Sequence, residues 1–161
     1  MKNHVTVASH IVTLLALSLW LGGMIVLGAV VAPIVFSVLP LPTSADAMTL
    51  VFRRFDAIAV TSAAIVLACE VWRVKVAGKL RRLEIARGVA LAIAGLLALF
   101  EGIAVSPRVE ALHRAGAIRG VGDLGAQLEA AHKLAESVSK AEALFVVVFA
   151  ALFMMTASEP L

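Results

Sequence analysis

Long apolar runs separated by short charged stretches are the main pattern along this chain. Residues 5 to 45 contain no Asp, Glu, Lys or Arg, and this run is much longer than the ~18 residues that mark a spanning helix. It is also too long for a cleaved signal peptide, so we expect it to be a retained membrane helix. Three further apolar runs follow, at residues 57 to 69, 88 to 100 and 143 to 158.

These four runs predict four helices that alternate in direction. Extended to spanning length and ended at the polar connections, the helices are expected near 5–38, 48–77, 85–111 and 128–157. The predicted fold is therefore all-α, an integral membrane antiparallel four-helix bundle in which residues 1–161 form one domain.

The first predicted helix contains several residues that weaken helices in water. Gly28 and Ala32, four residues apart, are expected to form a flat packing face that Gly22 and Gly23 extend. Pro33 should bend the helix. The alternative is a hairpin turn at Gly22 and Gly23, which is disfavoured because it would leave unpaired backbone groups in the middle of the bilayer.

Composition supports a membrane location and narrows the partners. The chain is 61% hydrophobic and 16% charged, with a mean hydropathy of +1.01. The net charge of +3 suits contact with anionic lipid, and no basic run alternates with aromatic residues as in nucleic-acid binding. We therefore expect lipid, other membrane subunits or copies of this chain as partners, and no nucleic acid.

Charges between the second and third helices predict the orientation. Such a dense positive group favours the cytoplasmic side of the plasma (inner) membrane and would place both termini inside. Basic residues also belong to the opposite side, among them Arg114 and Lys133. The positive group consists of Arg73, Lys75, Lys79, Arg81, Arg82 and Arg87.

The second and third apolar runs are too short to span a membrane alone. Each covers only ~20 Å, against a hydrocarbon core of ~30 Å. Charged residues next to these runs must therefore enter the membrane, and Asp56, Glu70 and Glu101 are the candidates. Such residues need partners or water.

One candidate group of polar residues is expected at the outer end of the bundle. Its members lie on predicted helix faces that should meet, and the expected result is a buried network that fixes helix register, with a polar binding or permeation vestibule as the alternative. The group consists of Arg53, Arg54, Asp56, Glu101, Arg108, His132, Glu136 and Lys140.

A second group is expected at the inner end, where His10 should pair with Glu70. Cys69, Met154 and Met155 at similar depth raise the alternative of a copper(I) site, but the spacing is not that of metal ligands. His10 and His132 belong to opposite leaflets and cannot share one haem, while a haem held by His10 alone stays open. No metal or cofactor is expected.

Short sequence motifs, here called words, occur along almost the whole chain and resemble those of the transmembrane protein 205-like family. This resemblance implies a four-helix membrane protein of uncharacterised activity and supplies no catalytic residues. The His10 and Trp-x-Gly-Gly words are more distantly similar to copper-resistance D type membrane proteins. The words are His10, LWLGGM (19–24), AP (32–33), VF (35–36), VFRRFD (51–56), SPRVEALH (106–113) and AHKL (131–134).

No catalytic motif is present, so we expect a structural or accessory helical subunit that packs against other membrane proteins and is not an enzyme. The alternative is a transport or redox-binding module that handles a metal ion, haem or a small solute.

Overall fold

Four long helices form an antiparallel bundle, as the hydrophobic pattern predicts. The structure, a computed structural model, describes residues 2–41, 43–77 and 81–157. Within these ranges four helices are long and apolar enough to cross a membrane, and we number them spans 1 to 4. The spans are Val5–Val38, Thr43–Val76, Arg82–Arg114 and Gly122–Thr156.

Two of the spans are interrupted by a π-helical turn. Span 1 consists of α1 (Lys2–Val26), a π-turn (Leu27–Val31) and α2 (Ala32–Val38); span 2 is α3 (Thr43–Ala77). Span 3 consists of α4 (Arg82–Phe100), a second π-turn (Glu101–Val105) and α5 (Ser106–Arg114); span 4 is α6 (Gly122–Ala157).

The second and fourth spans begin earlier than their apolar runs suggest, at Thr43 instead of near 48 and at Gly122 instead of near 128. Both first turns are polar and contain an acidic residue, Asp46 or Asp123. A carboxylate there is stabilised by the partial positive charge of the helix start, so the helix extends beyond its apolar part.

Each π-turn lies directly before a proline. In span 1 the Ala32 N–H donates to the Leu27 carbonyl, and in span 3 the Ser106 N–H donates to the Glu101 carbonyl. Proline has no N–H and cannot continue the regular bonding ladder, and the wider turn accommodates this break. The predicted irregularity near Pro33 is therefore a π-turn, and Pro107 has a matching one.

The core lies where the four spans face each other. The most extensive contacts join α4 with α6 and α1 with α3. Trp20, Val66, Ala94 and Phe149 are fully buried at the centre. Large apolar side chains such as Leu96 point outward, which suits lipid as the surrounding medium.

The predicted glycine face of span 1 is not one continuous surface. A side-chain atom added at Gly23 would clash with the Phe55 ring, so α1 and α3 approach closely there. At Gly22 and Gly28 an added Cβ meets nothing within 4 Å. Gly28 lies five residues beyond Gly23 and therefore points about 140° away around the helix. Ala32 is partly buried and Pro33 is exposed.

The polar groups are easiest to locate by depth in the bundle. We call the end with Lys2 and the connection between spans 2 and 3 the proximal end, and the opposite end the distal end. At 1.5 Å per residue, each span is ~50 Å long, so its middle ~30 Å corresponds to the hydrocarbon core.

Candidate functional site

Three acidic side chains lie close to the middle of the bundle. Asp56, Glu101 and Glu142, here called the carboxyl layer, are each within ~5 Å of the centre of their spans by helical rise. They come from three different spans. Ionisable groups at this depth are costly, so their partners decide what they do.

Glu142 is bound by an indole of the first span. The Trp20 Nε1–H donates to Glu142 Oε1 over 2.6 Å, and the two residues are 0% and 2% exposed. The bond joins the first and last spans in the centre of the molecule. A buried Trp usually needs such an acceptor, and here the acceptor is a carboxyl group that forms no ion pair with a basic residue of the described ranges.

Glu101 is bound by a serine of span 4 and not by an arginine. The Ser139 hydroxyl donates to Glu101 and lies 2.7 and 3.0 Å from the two carboxyl oxygens. Within the predicted outer network, Glu101 does not pair with Arg108, because the π-turn that begins at Glu101 rotates the following residues relative to a regular α-helix. Arg108 is exposed.

Asp56 completes the carboxyl layer from span 2. Ser106 of span 3 lies beside it, and its Oδ2 is buried without a hydrogen-bond partner among the described residues. The backbone of the second π-turn approaches closely, because a Cβ added at Gly102 would lie 3.5 Å from the Asp56 Cβ. Two members of the carboxyl layer, Glu101 and Glu142, are thus held by a hydroxyl and an indole donor, which are neutral.

An apolar layer closes the bundle between its middle and its proximal end. Val66, Ala94 and Phe149 are each 0% exposed there. They separate the carboxyl layer from the next polar group. Ions need polar groups or water along their path, and these three side chains provide no polar group.

The proximal polar group is an ion-paired cluster of Glu70, Arg73 and Arg87, here called the arginine cluster. Arg73 Nη2 donates to Glu70 Oε1. Arg87 donates to Glu70 Oε2 from Nε at 3.0 Å and from Nη2 at 2.8 Å. The side chains are only 7%, 11% and 6% exposed, respectively, so the cluster is inside the protein although the sequence predicts a surface group of positive charges.

Other residues surround the arginine cluster. Arg87 donates to the Thr156 hydroxyl, and Arg73 Nη2 lies 3.4 Å from the Thr13 hydroxyl. Both guanidinium groups lie beside the Phe153 ring, at 4.5 Å for Arg73 and 5.9 Å for Arg87. The contacts join all four spans at one depth.

The expected pair of His10 and Glu70 is wrong. Both Glu70 oxygens bind arginine, while the His10 ring packs edge-on against Phe153 with centroids 5.4 Å apart. The two arginines bind the Glu70 carboxylate in place of the His10 imidazole, because a guanidinium keeps its charge and offers a planar set of donors.

The structure offers little for metal or haem binding. Among the described residues, no group of three or more His, Cys, Asp or Glu side chains is arranged to hold a metal ion. Met154 and Met155 are largely exposed on the bundle surface. His10 contacts Phe153, and His132 contacts His113; residues 132 and 153 are ~30 Å apart along α6, so the two histidines cannot share one iron.

The distal end carries exposed ion pairs and an open cavity. Arg53 bonds Glu110 at 2.7 Å, and the bond from Arg119 to Glu129 raises the pKa of Arg119. A cavity of about 450 Å³ opens between spans 2 and 3. Its lining consists of Asp46, Thr49, Leu50, Arg53, Arg54, Ala57, Glu110, His113 and Arg114.

The predicted outer network therefore divides into separate parts. Only Asp56 and Glu101 lie in the bundle interior. Lys140 and Glu136 form a pair along α6 at 2.5 Å, with side chains 74% and 64% exposed. Arg54 and Arg108 are exposed, and His132 is partly buried against His113.

Sequence reasoning missed Glu142, Trp20 and the burial of Arg87. The sequence did contain a signal for Glu142. The last apolar run, 143–158, is also short for a membrane, and extending it toward the N-terminus brings Glu142 into the hydrocarbon core. No comparable signal exists for Trp20, whose Nε1–H partner lies 122 residues away.

The bundle defines a small multi-pass membrane protein with a buried polar interior. Residues 15–117 match a family described as a domain of unknown function, DUF4149. This range is more than half of the chain, so the chain belongs to that family. It includes Trp20, Asp56 and Glu101 but not span 4. Neither a curated protein nor a solved structure matches the chain.

Proposed function

We propose that this protein is an accessory membrane subunit without catalytic activity, and that span 1 packs against a helix of another membrane protein. The observation that carries the proposal is the open glycine at position 28. No residue of the π-turn or of α2 is buried within the chain, so the distal part of span 1 contributes little to the core.

Glycine inside a helix costs about 0.5–1 kcal/mol relative to alanine. Contacts within the chain explain this cost at Gly23, where an added Cβ would clash with the Phe55 ring. They do not explain it at Gly28, where an added Cβ meets nothing within 4 Å. Small residues at positions 28 and 32 allow a neighbouring helix backbone to come close, which supports an external partner.

The buried polar groups support the same proposal. Each joins different spans, as Trp20 with Glu142 and Arg87 with Glu70 do. The fully buried apolar layer that includes Phe149 separates the two polar depths. We propose that these groups fix the register of the four spans and do not form a path for ions.

A substitution that fills the open position tests the proposal. Gly28→Leu should preserve the fold, because nothing lies within 4 Å, but should remove proteins that co-purify from native membranes in mild detergent. Gly88→Leu is the matched control, since Gly88 is equally open within the chain but lies on span 3. Unchanged co-purification in Gly28→Leu, or equal loss in both variants, would contradict the proposal.

A second candidate function, a solute-binding vestibule, is favoured by the cavity of about 450 Å³ at the distal end. Its lining includes Ala57, the neighbour of Asp56. The proposed orientation places this end outside the cytoplasm, with the proximal end and its basic residues inside. Lys79, one of those residues, lies outside the described ranges.

Labelling tests both the vestibule and the orientation. In a Cys69→Ala background, Ala57→Cys should react with a membrane-impermeant thiol reagent in intact cells. Ile65→Cys, on the lipid-facing side of the same helix, should not react, because Ile65 is 40% exposed to an apolar surrounding. If Ala57→Cys reacts in inverted vesicles and not in intact cells, the orientation is the reverse of the proposed one. If it reacts on neither side, a water-filled vestibule is excluded.

A further inference from the structure

The arginine cluster has more positive charge than its single carboxylate balances. Arg73 and Arg87 together occupy both oxygens of Glu70. The charged groups that act on Arg73 are Glu70 and Arg87, with the Cys69 thiol nearby. One carboxylate therefore faces two guanidinium groups, both largely removed from solvent. An unbalanced buried cation is unfavourable unless another anion accompanies it.

Donors without acceptors lie on one side of this cluster. Arg73 Nε and Nη1 are buried and have no hydrogen-bond partner among the described residues. The Phe153 ring faces the Arg73 guanidinium and stabilises its charge, but a ring face does not satisfy two N–H groups. Arg73 thus presents a pair of donors in the planar geometry that binds phosphate and carboxylate oxygens.

Span 1 supplies a further donor next to Arg73. The Thr13 hydroxyl lies 3.4 Å from Arg73 Nη2, and Ser9 precedes Thr13 by one helical turn on the same face. Ser9 is only 9% exposed, and its hydroxyl has no partner in the described structure. Ser9 therefore lies one helical turn from the contact that Thr13 makes with Arg73 between α1 and α3.

The depth of this contact matches the position of lipid phosphates. Ser9, Arg73 and Arg87 lie ~15–20 Å from the centres of their spans by helical rise, and the hydrocarbon core ends at ~15 Å from the bilayer midplane. Basic pockets between membrane helices at this level bind anionic headgroups. A phosphate at this depth would not have to enter the hydrocarbon.

We propose that Arg73 and Ser9, with the added positive charge of Arg87, bind a phosphate group between α1 and α3 at the proximal end. A lipid phosphodiester and free inorganic phosphate present the same oxygens, and either could supply the group. The bound phosphate balances the second guanidinium and accepts from the three unpaired donors. This inference does not depend on the proposed subunit partner.

Two probes separate the sources of the phosphate. The full chain in detergent is heated with increasing inorganic phosphate, with sodium chloride at equal ionic strength as the reference. The same chain in nanodiscs of phosphatidylcholine, with or without phosphatidylglycerol, is analysed by native mass spectrometry for retained lipid. If only inorganic phosphate stabilises the protein, the ligand is a free anion. If only phosphatidylglycerol is retained, the ligand is a lipid headgroup. If both results are found, the site recognises the phosphate group in either form.

The variants decide whether the site is the one described. Arg73→Gln and Ser9→Ala should each weaken binding by about tenfold or more, as loss of a hydrogen bond to a charged group does. Lys75→Gln, an exposed charge near the same end of α3, should leave binding within about twofold. If Arg73→Gln fails to fold, Ser9→Ala still decides, because its hydroxyl bonds nothing in the described chain. Absence of saturable binding by either probe, or equal weakening in Lys75→Gln, would overturn the proposal.

Discussion

The arginine cluster and the carboxyl layer are both buried polar groups, but they are stabilised in different ways. In the arginine cluster, Glu70 is held by two guanidinium groups. In the carboxyl layer, Glu101 and Glu142 are held by a hydroxyl and an indole. Opposite charges hold the first group together, and neutral hydrogen bonds hold the second.

This difference predicts different responses to substitution. Removing one partner of a buried ion pair leaves a full charge without compensation, which costs several kcal/mol. Removing a neutral donor leaves an unsatisfied acceptor, which costs less. The proximal cluster should therefore dominate stability, although the carboxyl layer lies deeper in the membrane.

The largest effect is expected from Glu70→Gln. Two buried guanidinium groups would lose the only carboxylate that pairs with them in the described part of the chain, and the free energy of unfolding should fall by about 3–5 kcal/mol. Thermal unfolding of the purified protein in detergent measures the loss. Glu129→Gln is the control, because it breaks a partly exposed pair with Arg119 at the distal end and should lower the unfolding temperature far less. Equal effects of the two substitutions would remove the distinction between buried and exposed pairs.

A smaller effect is expected when the Trp20–Glu142 bond is broken. Trp20→Phe removes the indole donor and part of the ring, and it should cost about 1–3 kcal/mol. Glu142→Gln keeps an acceptor oxygen and should cost less. A double-mutant cycle with Trp20→Phe and Glu142→Leu isolates the contact, and a coupling energy near zero would show that the bond adds no stability.

The smallest effect is expected at the Ser139–Glu101 bond. Ser139→Ala should lower the free energy of unfolding by about 1 kcal/mol, since Glu101 loses its hydroxyl donor. Ser137→Ala is a matched control two residues away, because its hydroxyl is exposed and bonds only the Lys133 carbonyl. A loss in Ser139→Ala no larger than in Ser137→Ala would indicate that water replaces the serine.

The sequence was sufficient for the architecture of the bundle. Apolar runs identify the four spans because the bilayer demands a minimum length of apolar helix. The same length argument predicts that Asp56, Glu70 and Glu101 enter the membrane-spanning part of the bundle, and all three lie within the spans. It could not assign their partners, because helix rotation decides which side chains meet, and the second π-turn changes that rotation after Glu101.

Charge patterns in the sequence were least informative about depth. Arg73 and Arg87 belong to a dense basic stretch that resembles a cytoplasmic loop, yet both lie on helices and are largely buried. Arg53 and Lys140 belong to the predicted interior network, yet their side chains are 53% and 74% exposed. Long basic side chains reach several Å along a helix, so their sequence position does not fix where the charge lies.

The bond between Trp20 and Glu142 also affects how the bundle is assembled during synthesis. Its two residues are 122 positions apart, and a growing chain produces the indole long before the carboxyl group exists. Until span 4 is inserted, the Trp20 N–H lacks its final acceptor. Completion of the last helix therefore supplies the acceptor, and a chain that ends before span 4 leaves the Trp20 donor unsatisfied inside the membrane.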